Sequence, residues 1–228
     1  MAGPGGAVEI QTDAAPLPAY RVAPPTGRGP GVLVLHEAFG LVDWVRSACE
    51  RLARAGFVAL APDLYRGQSA DSIEGATRLA LGLTPDGVRR DLAAAVTALL
   101  SDHAVDGARV GAVGFCMGGH LALLAAEASP RVAAAVDFYG LHPGLPVDPS
   151  RIRAAVLGIF AELDEFVPAE AVAELRRALE AAGVRASFTV QPGAGHAFMN
   201  ETRPERFDAR AAAEGWDRLL AFLRAELA

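Results

Sequence analysis

The sequence has few cysteines, no run of basic residues and no long apolar stretch, and each absence excludes a class of protein. Only two cysteines, Cys49 and Cys116, occur in 228 residues, which excludes a disulfide-rich framework. The formal net charge is −6 and the arginines are scattered among acidic residues, so a nucleic-acid partner is not expected. Because no stretch approaches the roughly 18 uninterrupted apolar residues of a transmembrane helix, a membrane partner is not expected either.

The start of the sequence and the histidines extend these exclusions. The first residues lack the basic start and the apolar run of a signal peptide, so we expect a reduced, cytoplasmic protein. Counting alone leaves a disulfide between the two cysteines open. The five histidines show no metal-ligand spacing, and neither a metal nor a cofactor is expected. The expected partner is a small-molecule substrate, and the chain is expected to be a monomer or a homodimer.

Apolar runs alternate with helical spacing along the chain. Buried strands are predicted at 31–35, 57–61, 109–114, 133–139, 155–160 and 186–190, and helices at 42–55, about 85–102, 117–128, 168–182 and about 205–226. Two alternating segments, 8–12 and 19–22, predict antiparallel strands at a sheet edge, whereas the glycine-containing segment 66–84 predicts an irregular excursion. The pattern predicts one α/β domain over 1–228, with a mostly parallel central sheet, helices on both faces and a loose end at 1–6.

The segment Gly114-Phe115-Cys116-Met117-Gly118 has a Gly-x-nucleophile-x-Gly pattern between a predicted strand and a predicted helix. In such a turn the nucleophile is lifted above the sheet, and the glycines are needed because neighbouring Cβ atoms would clash. The turn also places Cys116 at a helix N-terminus, where the dipole favours a thiolate. An alternative is a buried, inert cysteine, which is our interpretation of Cys49. The context favours Cys116 as the nucleophile of an α/β-hydrolase fold.

This fold places an acid and then a histidine after later strands. Three carboxylates, Glu162, Asp164 and Glu165, follow the strand that ends at Phe160. Asp164 has the best placement, in a tight loop just before a helix that begins with proline. His196 lies among flexible glycines after the next strand, and it can reach back to the nucleophile with Asp164 fixing its tautomer.

The segment His36-Glu37-Ala38-Phe39-Gly40 follows the first buried strand. In this fold the loop at that point supplies the second oxyanion donor, here the N–H of Ala38, in addition to the N–H of Met117. Glu37 would then lie near Cys116, where an unpartnered carboxylate is costly to bury. The alternative is that Glu37 is an exposed loop residue.

Six short segments follow one another along the chain in the order in which they occur in one enzyme family. They are Glu37-Ala38-Phe39-Gly40, Ala61-Pro62-Asp63-Leu64-Tyr65, Gly114-Phe115-Cys116-Met117-Gly118-Gly119, Phe138-Tyr139-Gly140, Asp164-Glu165-Phe166-Val167-Pro168 and Gly195-His196-Ala197-Phe198. Together they resemble the dienelactone hydrolase family, also called carboxymethylenebutenolidases, over most of the chain from about residue 30. The resemblance implies hydrolysis of small lactones or esters without a cofactor, by a Cys116–His196–Asp164 triad.

The resemblance also implies how the triad works. The glutamate that matches Glu37 contacts the resting thiol, and substrate binding moves it so that the thiolate pairs with His196. Cys116 would then attack the carbonyl and form an acyl-enzyme, which water hydrolyses, with Met117 and Ala38 as oxyanion donors.

The substrate-binding positions depart from the family pattern. The best-known members hold the carboxylate of dienelactone with two arginines, but here Asn200 stands at one position and Ile73 near the other. Dienelactone itself is therefore not the expected substrate, and Arg203 is an alternative cation. The residues expected to bind substrate are Phe39, Arg66, Arg78, Tyr139, Phe198 and Asn200. Two other functions remain open: a thioesterase or other acyl-transfer enzyme on the same fold, and a binding module without turnover.

Overall fold

The computed structural model describes residues 5–228, and within them eight strands form one sheet in the order β1-β2-β4-β3-β5-β6-β7-β8. The strands are β1 (Gly6–Ile10), β2 (Leu17–Val22), β3 (Gly29–Leu35), β4 (Val58–Pro62), β5 (Val105–Phe115), β6 (Val132–Phe138), β7 (Ala155–Leu163) and β8 (Ala186–Gly195). The helices are α1 (Asp43–Arg54), α2 (Ile73–Leu81), α3 (Pro85–Leu100), α4 (Met117–Ala128), α5 (Ala169–Ala181) and α6 (Ala209–Leu227), with a short 3-10 turn at Pro149–Arg151.

The six strands from β3 to β8 pair in parallel, and β1 and β2 add antiparallel at one edge. Strands β4 and β6 are buried along their whole length, as continuous apolar runs require when both faces of a sheet are covered. Leucines of α3 and α4 pack on one face, and α1 and α6 pack on the other with Trp44, Leu52 and Trp216. The predicted mostly parallel sheet with helices on both faces is confirmed.

Segment 66–84, predicted to be irregular, contains the helix α2. Gly75 and Gly82 lie at the two ends of this helix, where glycine is tolerated. Gly75 donates its N–H to the Ser72 N-cap hydroxyl, and Gly82 is the C-cap. The prediction of an irregular excursion is therefore wrong for residues 73–81. The predicted loose end at 1–6 is wrong for Gly6, which pairs in β1, and its residues 1–4 lie outside the described part of the chain.

The carboxyl ends of the parallel strands meet at one edge of the sheet. The loops that follow β3, β5, β6, β7 and β8 carry, in that order, Glu37, Cys116, Tyr139, Asp164 and His196. This edge is where ligands bind in open α/β sheets, because the strand ends and the loops leave a crevice there. None of the helices within residues 5–228 is long and apolar enough to cross a membrane.

Candidate active site

Cys116 occupies a sharp turn between β5 and α4. Its backbone has φ 55° and ψ −128°, a conformation that residues other than glycine rarely adopt. Two hydrogen bonds hold the turn: the Cys116 N–H donates to the Phe138 carbonyl at 3.0 Å, and the Gly119 N–H donates to the Cys116 carbonyl at 2.9 Å. The half-buried thiol is therefore presented at the carboxyl edge of the sheet, at the N-terminus of α4.

The glycines around Cys116 are required by close backbone approach. A Cβ atom at Gly114 would overlap the carbonyl oxygen of Gly118, and one at Gly118 would overlap that of Leu35. These obstacles are backbone atoms that cannot rotate away, so the turn accepts only glycine at both positions. The Gly-x-Cys-x-Gly pattern of the sequence thus has a steric cause.

His196 and Asp164 form a tightly held pair. The Nδ1 atom of His196 lies 2.9 Å from Asp164 Oδ2 and 3.0 Å from Oδ1. Asp164 Oδ1 also accepts the backbone N–H groups of Phe166 and Val167, at 2.8 and 2.9 Å, and the carboxylate side chain is only 1% exposed. Because the carboxylate is fixed by the backbone, it fixes the orientation of the imidazole and leaves Nε2 free to face the cavity.

The surroundings of His196 favour its protonated form. Burial alone would lower the pKa of His196, but hydrogen bonds with Asp164 and Cys116, and the negative charges of both groups, raise it to about 10. The rings of Tyr139 and Phe166 lie edge-on to the imidazole, with centroids 5.0 and 4.9 Å away. These rings restrict rotation of the imidazole and exclude water from its faces.

Glu37 is buried at the same edge of the sheet as Cys116 and is held by a neutral donor. Asn200 Nδ2 donates to Glu37 Oε2 at 2.9 Å. The orientation of this amide is fixed because Asn200 Oδ1 accepts from the N–H and the hydroxyl of Thr202, at 3.0 and 2.6 Å. Burial raises the pKa of Glu37, against the opposing charges of His196 and Arg203 and the Asn200 hydrogen bond. Its Oε1 atom is buried and has no hydrogen-bond partner within residues 5–228.

A cavity of about 430 Å³ opens above Cys116. Its inner wall, on the sheet edge, consists of Glu37, Ala38, Cys116, Met117, Tyr139 and His196. Its outer wall consists of Ile73, Ala76, Thr77, Ala80 and Leu81 of α2 together with Leu141, His142 and Pro143. The remaining lining residues are Phe39, Phe166, Val167, Ala197, Arg203 and Arg206.

Two arginines, Arg203 and Arg206, line the cavity. Neither belongs to the residues that were expected to bind substrate, which included Arg66 and Arg78. The Arg203 guanidinium lies 4.3 Å above the ring of Phe39 and makes no ion pair within the described residues, whereas Arg206 pairs with Glu165. Arg203 is therefore a cation on the cavity wall without a carboxylate partner, held by its contact with the aromatic face.

The structure places four of the predicted substrate-binding residues away from the cavity wall. Arg66 has φ 51°, which turns it towards Asp91, with bonds of 2.8 and 2.9 Å. Arg78 is on the solvent side of α2 and pairs with Glu74. Phe198 is fully buried and packs against Tyr139, and Asn200 lies behind Glu37. Phe39 and Tyr139 do line the cavity, as expected.

Several lining residues had no signal in the sequence. Thr77 and Leu81 belong to the helix that was not predicted, so the face that they share with Ile73, which the family pattern placed near a substrate-binding position, was not visible. His142 both lines the cavity and bonds to α2, with its Nε2 atom 3.3 Å from the Ala80 carbonyl.

The remaining histidines and Cys49 do not line the cavity. His120 is buried, with Nε2 bonded to the Leu145 carbonyl, and His103 is on the surface. His36 is buried and accepts the Leu64 N–H at Nε2. Cys49 is fully buried in the core, and both cysteines are free. Within residues 5–228 no group of three or more His, Cys, Asp or Glu side chains could hold a metal ion.

A strained residue between a parallel strand and a helix, with a carboxylate and a histidine after later strands, defines the α/β-hydrolase class. Residues 17–227 match the sequence profile of the dienelactone hydrolase family. A Methylorubrum extorquens protein assigned as a carboxymethylenebutenolidase is 36% identical over 96% of this chain and 80% of its own length.

Two solved structures agree with this match. A Klebsiella pneumoniae protein assigned as a dienelactone hydrolase has a TM-score of 0.88 and 31% identity, covering 97% of this chain and 98% of its own. A dienelactone hydrolase-like promiscuous phosphotriesterase from metagenomic libraries has a TM-score of 0.91 and 27% identity, covering 100% of both chains. The chain belongs to the dienelactone hydrolase family, and the predicted α/β-hydrolase fold and carboxylic ester hydrolase class are confirmed.

Proposed function

We propose that this chain hydrolyses small-molecule esters or lactones with Cys116 as the nucleophile, His196 as the acid and base, and Asp164 as the group that orients His196. One observation carries the proposal. Cys116, whose backbone is strained, and His196 line the same cavity. The buried carboxylate of Asp164 holds the imidazole of His196 at Nδ1. This is the arrangement that activates a nucleophile by an adjacent, oriented base.

In the acylation step, the thiolate of Cys116 attacks the carbonyl carbon and forms a C–S bond, while the carbonyl electron pair moves to oxygen. The resulting oxyanion collapses and the C–O bond to the leaving group breaks. Protonated His196 gives its proton to the leaving oxygen. The raised pKa of His196, about 10, supports this role, because the imidazole keeps its proton at neutral pH.

The N–H groups of Met117 and Ala38 are the proposed oxyanion donors. Both residues line the cavity beside Cys116, and neither N–H donates to another backbone or side-chain acceptor within residues 5–228. Two free donors at the place where negative charge develops fit such a role, and one donor of this kind is typically worth about 10²- to 10³-fold in rate.

In the deacylation step, neutral His196 takes a proton from water, and the hydroxide attacks the thioester carbonyl. Collapse of the second oxyanion breaks the C–S bond and releases the carboxylic acid and the thiolate. Burial raises the pKa of Glu37, which disfavours a second negative charge next to the thiolate in both steps.

The test compares wild type with Cys116→Ala and Cys116→Ser on p-nitrophenyl acetate, simple lactones and acyl thioesters. Both variants are expected to lose nearly all ester and lactone hydrolysis. Full activity in Cys116→Ala would overturn the proposal, and a strong preference for thioesters would favour a thioesterase.

Labelling with iodoacetamide gives an independent readout. Only Cys116 is expected to react in the folded protein, because Cys49 is fully buried and burial raises the pKa of its thiol well above the usual range. An unreactive Cys116 would favour a binding module without turnover.

A further inference from the structure

Large apolar side chains are exposed mainly where the cavity opens. Seven such side chains are exposed in the described part of the chain, and four of them, Ile73, Leu81, Leu141 and Phe166, line this cavity. Ile73 is 64% and Leu81 70% exposed. Scattered single apolar residues need no explanation, but a cluster around one concave opening marks a binding surface.

Helix α2 is built to present this surface and does little to fill the core. Only two of its residues are buried, Ala76 and Ala80, so the helix rests on the body of the protein through small side chains. Leu79 packs against the core, and the two other large apolar residues of the helix, Ile73 and Leu81, line the cavity. A hydrogen bond between the Ala80 carbonyl and His142 ties α2 to the loop after β6, which carries Leu141. The outer wall is thus one connected apolar surface.

Cys116 lies in the inner wall of the same cavity. A substrate whose carbonyl carbon lies at the sulfur can therefore place an apolar group against the outer wall. The leaving oxygen must face His196, which Tyr139 and Phe166 flank edge-on. A substrate whose leaving oxygen lies at His196 can extend its acyl chain along the outer wall of the same cavity.

We propose that the outer wall is an acyl subsite, and that the preferred substrates carry an apolar acyl chain longer than acetyl. This rests on the proposed function and names its substrate class. Chain binding would bury Ile73, Leu81 and Leu141, which the free protein leaves in water, and the apolar area removed from water supplies the preference.

The experiment measures kcat/KM for p-nitrophenyl acetate, butyrate, hexanoate and octanoate, which share one leaving group. In wild type, kcat/KM is expected to rise about three- to fourfold per methylene until the wall is covered. In Ile73→Ser and Leu81→Ser, the hexanoate-to-acetate ratio is expected to fall roughly tenfold each. The matched control is Glu74→Ser, a change at a largely exposed residue of the same helix that leaves the ratio and the activity unchanged.

A flat chain-length series in wild type, or ratios that do not move in either serine variant, would overturn the acyl subsite. A dimer that dissociates in Leu81→Ser while the ratio stays constant would instead make the wall an interface between copies. Failure of the proposed function is distinguishable, because it is read from acetate hydrolysis in wild type against Cys116→Ala. Both residues are exposed, so the variants should fold, and thermal unfolding of each one checks this.

Discussion

The two walls of the cavity are built on opposite principles. On the inner wall three residues are fixed from behind: Asp164 holds His196, Asn200 holds Glu37, and backbone hydrogen bonds hold Cys116. On the outer wall the residues are apolar and largely exposed, and one hydrogen bond from His142 joins the helix to the loop. Bond-making chemistry requires fixed directions, whereas an apolar chain requires only area. The first wall is therefore rigid and the second is free to vary.

The largest effect is expected where the inner wall orients the imidazole. In Asp164→Asn the amide group faces Nδ1 with N–H in place of an oxygen, which favours the wrong tautomer, and kcat should fall about 10³- to 10⁴-fold. The measurement is kcat on p-nitrophenyl acetate with thermal unfolding as a folding check. Glu162→Gln is the control, because this exposed carboxylate contacts only the Gly193 N–H and should change kcat less than twofold. More than a tenth of wild-type activity in Asp164→Asn would contradict the role of Asp164.

The backbone of the inner wall should be equally intolerant. A methyl group at Gly118 would overlap the Leu35 carbonyl, so Gly118→Ala should lower the free energy of unfolding by about 3 kcal/mol or more. The control is Gly6→Ala in the edge strand, where a Cβ atom meets nothing and the change should stay within about 0.5 kcal/mol. Urea unfolding of both variants provides the comparison, and equal stabilities would show that the turn can relax.

Behind the inner wall, Asp137 should make stability depend on pH. It is buried, accepts the Gly140 N–H at 2.7 Å, and burial raises its pKa to about 8. The unfolded chain loses this proton near pH 4 and the folded chain near pH 8, so stability should fall as pH rises between these values. Asp137→Asn removes this dependence, and its stability relative to wild type should rise by a few kcal/mol between pH 4.5 and 8.5.

Urea unfolding at the two pH values measures this difference. Asp43→Asn, a change in a fully exposed carboxylate of α1, controls for the loss of one charge. If the free energies of unfolding of wild type and Asp137→Asn changed with pH in parallel, Asp137 would be ionised in the folded protein.

The smallest effect concerns the group that holds Glu37. In Asn200→Ala the donor to Oε2 is lost, which should lower kcat/KM about tenfold and raise the pKa of Glu37 further, because that hydrogen bond lowers it. The rate of Cys116 alkylation by iodoacetamide against pH should show its Glu37-dependent inflection at higher pH than in wild type. Thr202→Val, which loosens the Asn200 amide, should shift it in the same direction but less. An inflection that moves to lower pH would exclude this role.

The same contrast explains what the sequence could and could not predict. The inner wall depends on local patterns and on parallel topology, because residues that follow successive parallel strands must meet at one edge. The positions of Cys116, Asp164 and His196 could therefore be inferred without coordinates, and their catalytic roles stay predictions until the variants are measured. The family and the fold class are confirmed.

The outer wall depends on side-chain direction, which no spacing rule gives. Arg66 and Arg203 looked interchangeable in the sequence, yet a positive φ turns Arg66 to Asp91, and the ring of Phe39 holds Arg203 at the cavity. Helix α2 was missed because Gly75 and Gly82 weakened the pattern, although both lie at its ends. Helix α2 is also only nine residues long, so its apolar face spans few turns and gives a short periodic pattern.

The positive φ of Cys116 also sets the direction in which this protein can be improved. A residue held outside the common backbone regions costs of order 1–3 kcal/mol, and the surrounding turn must supply that energy. Selection for heat resistance alone would therefore reward replacements at this position that relax the turn, and it would do so by removing the thiol. Any directed-evolution campaign on this scaffold needs an activity screen at every round, because its most accessible route to a more stable chain leads away from turnover.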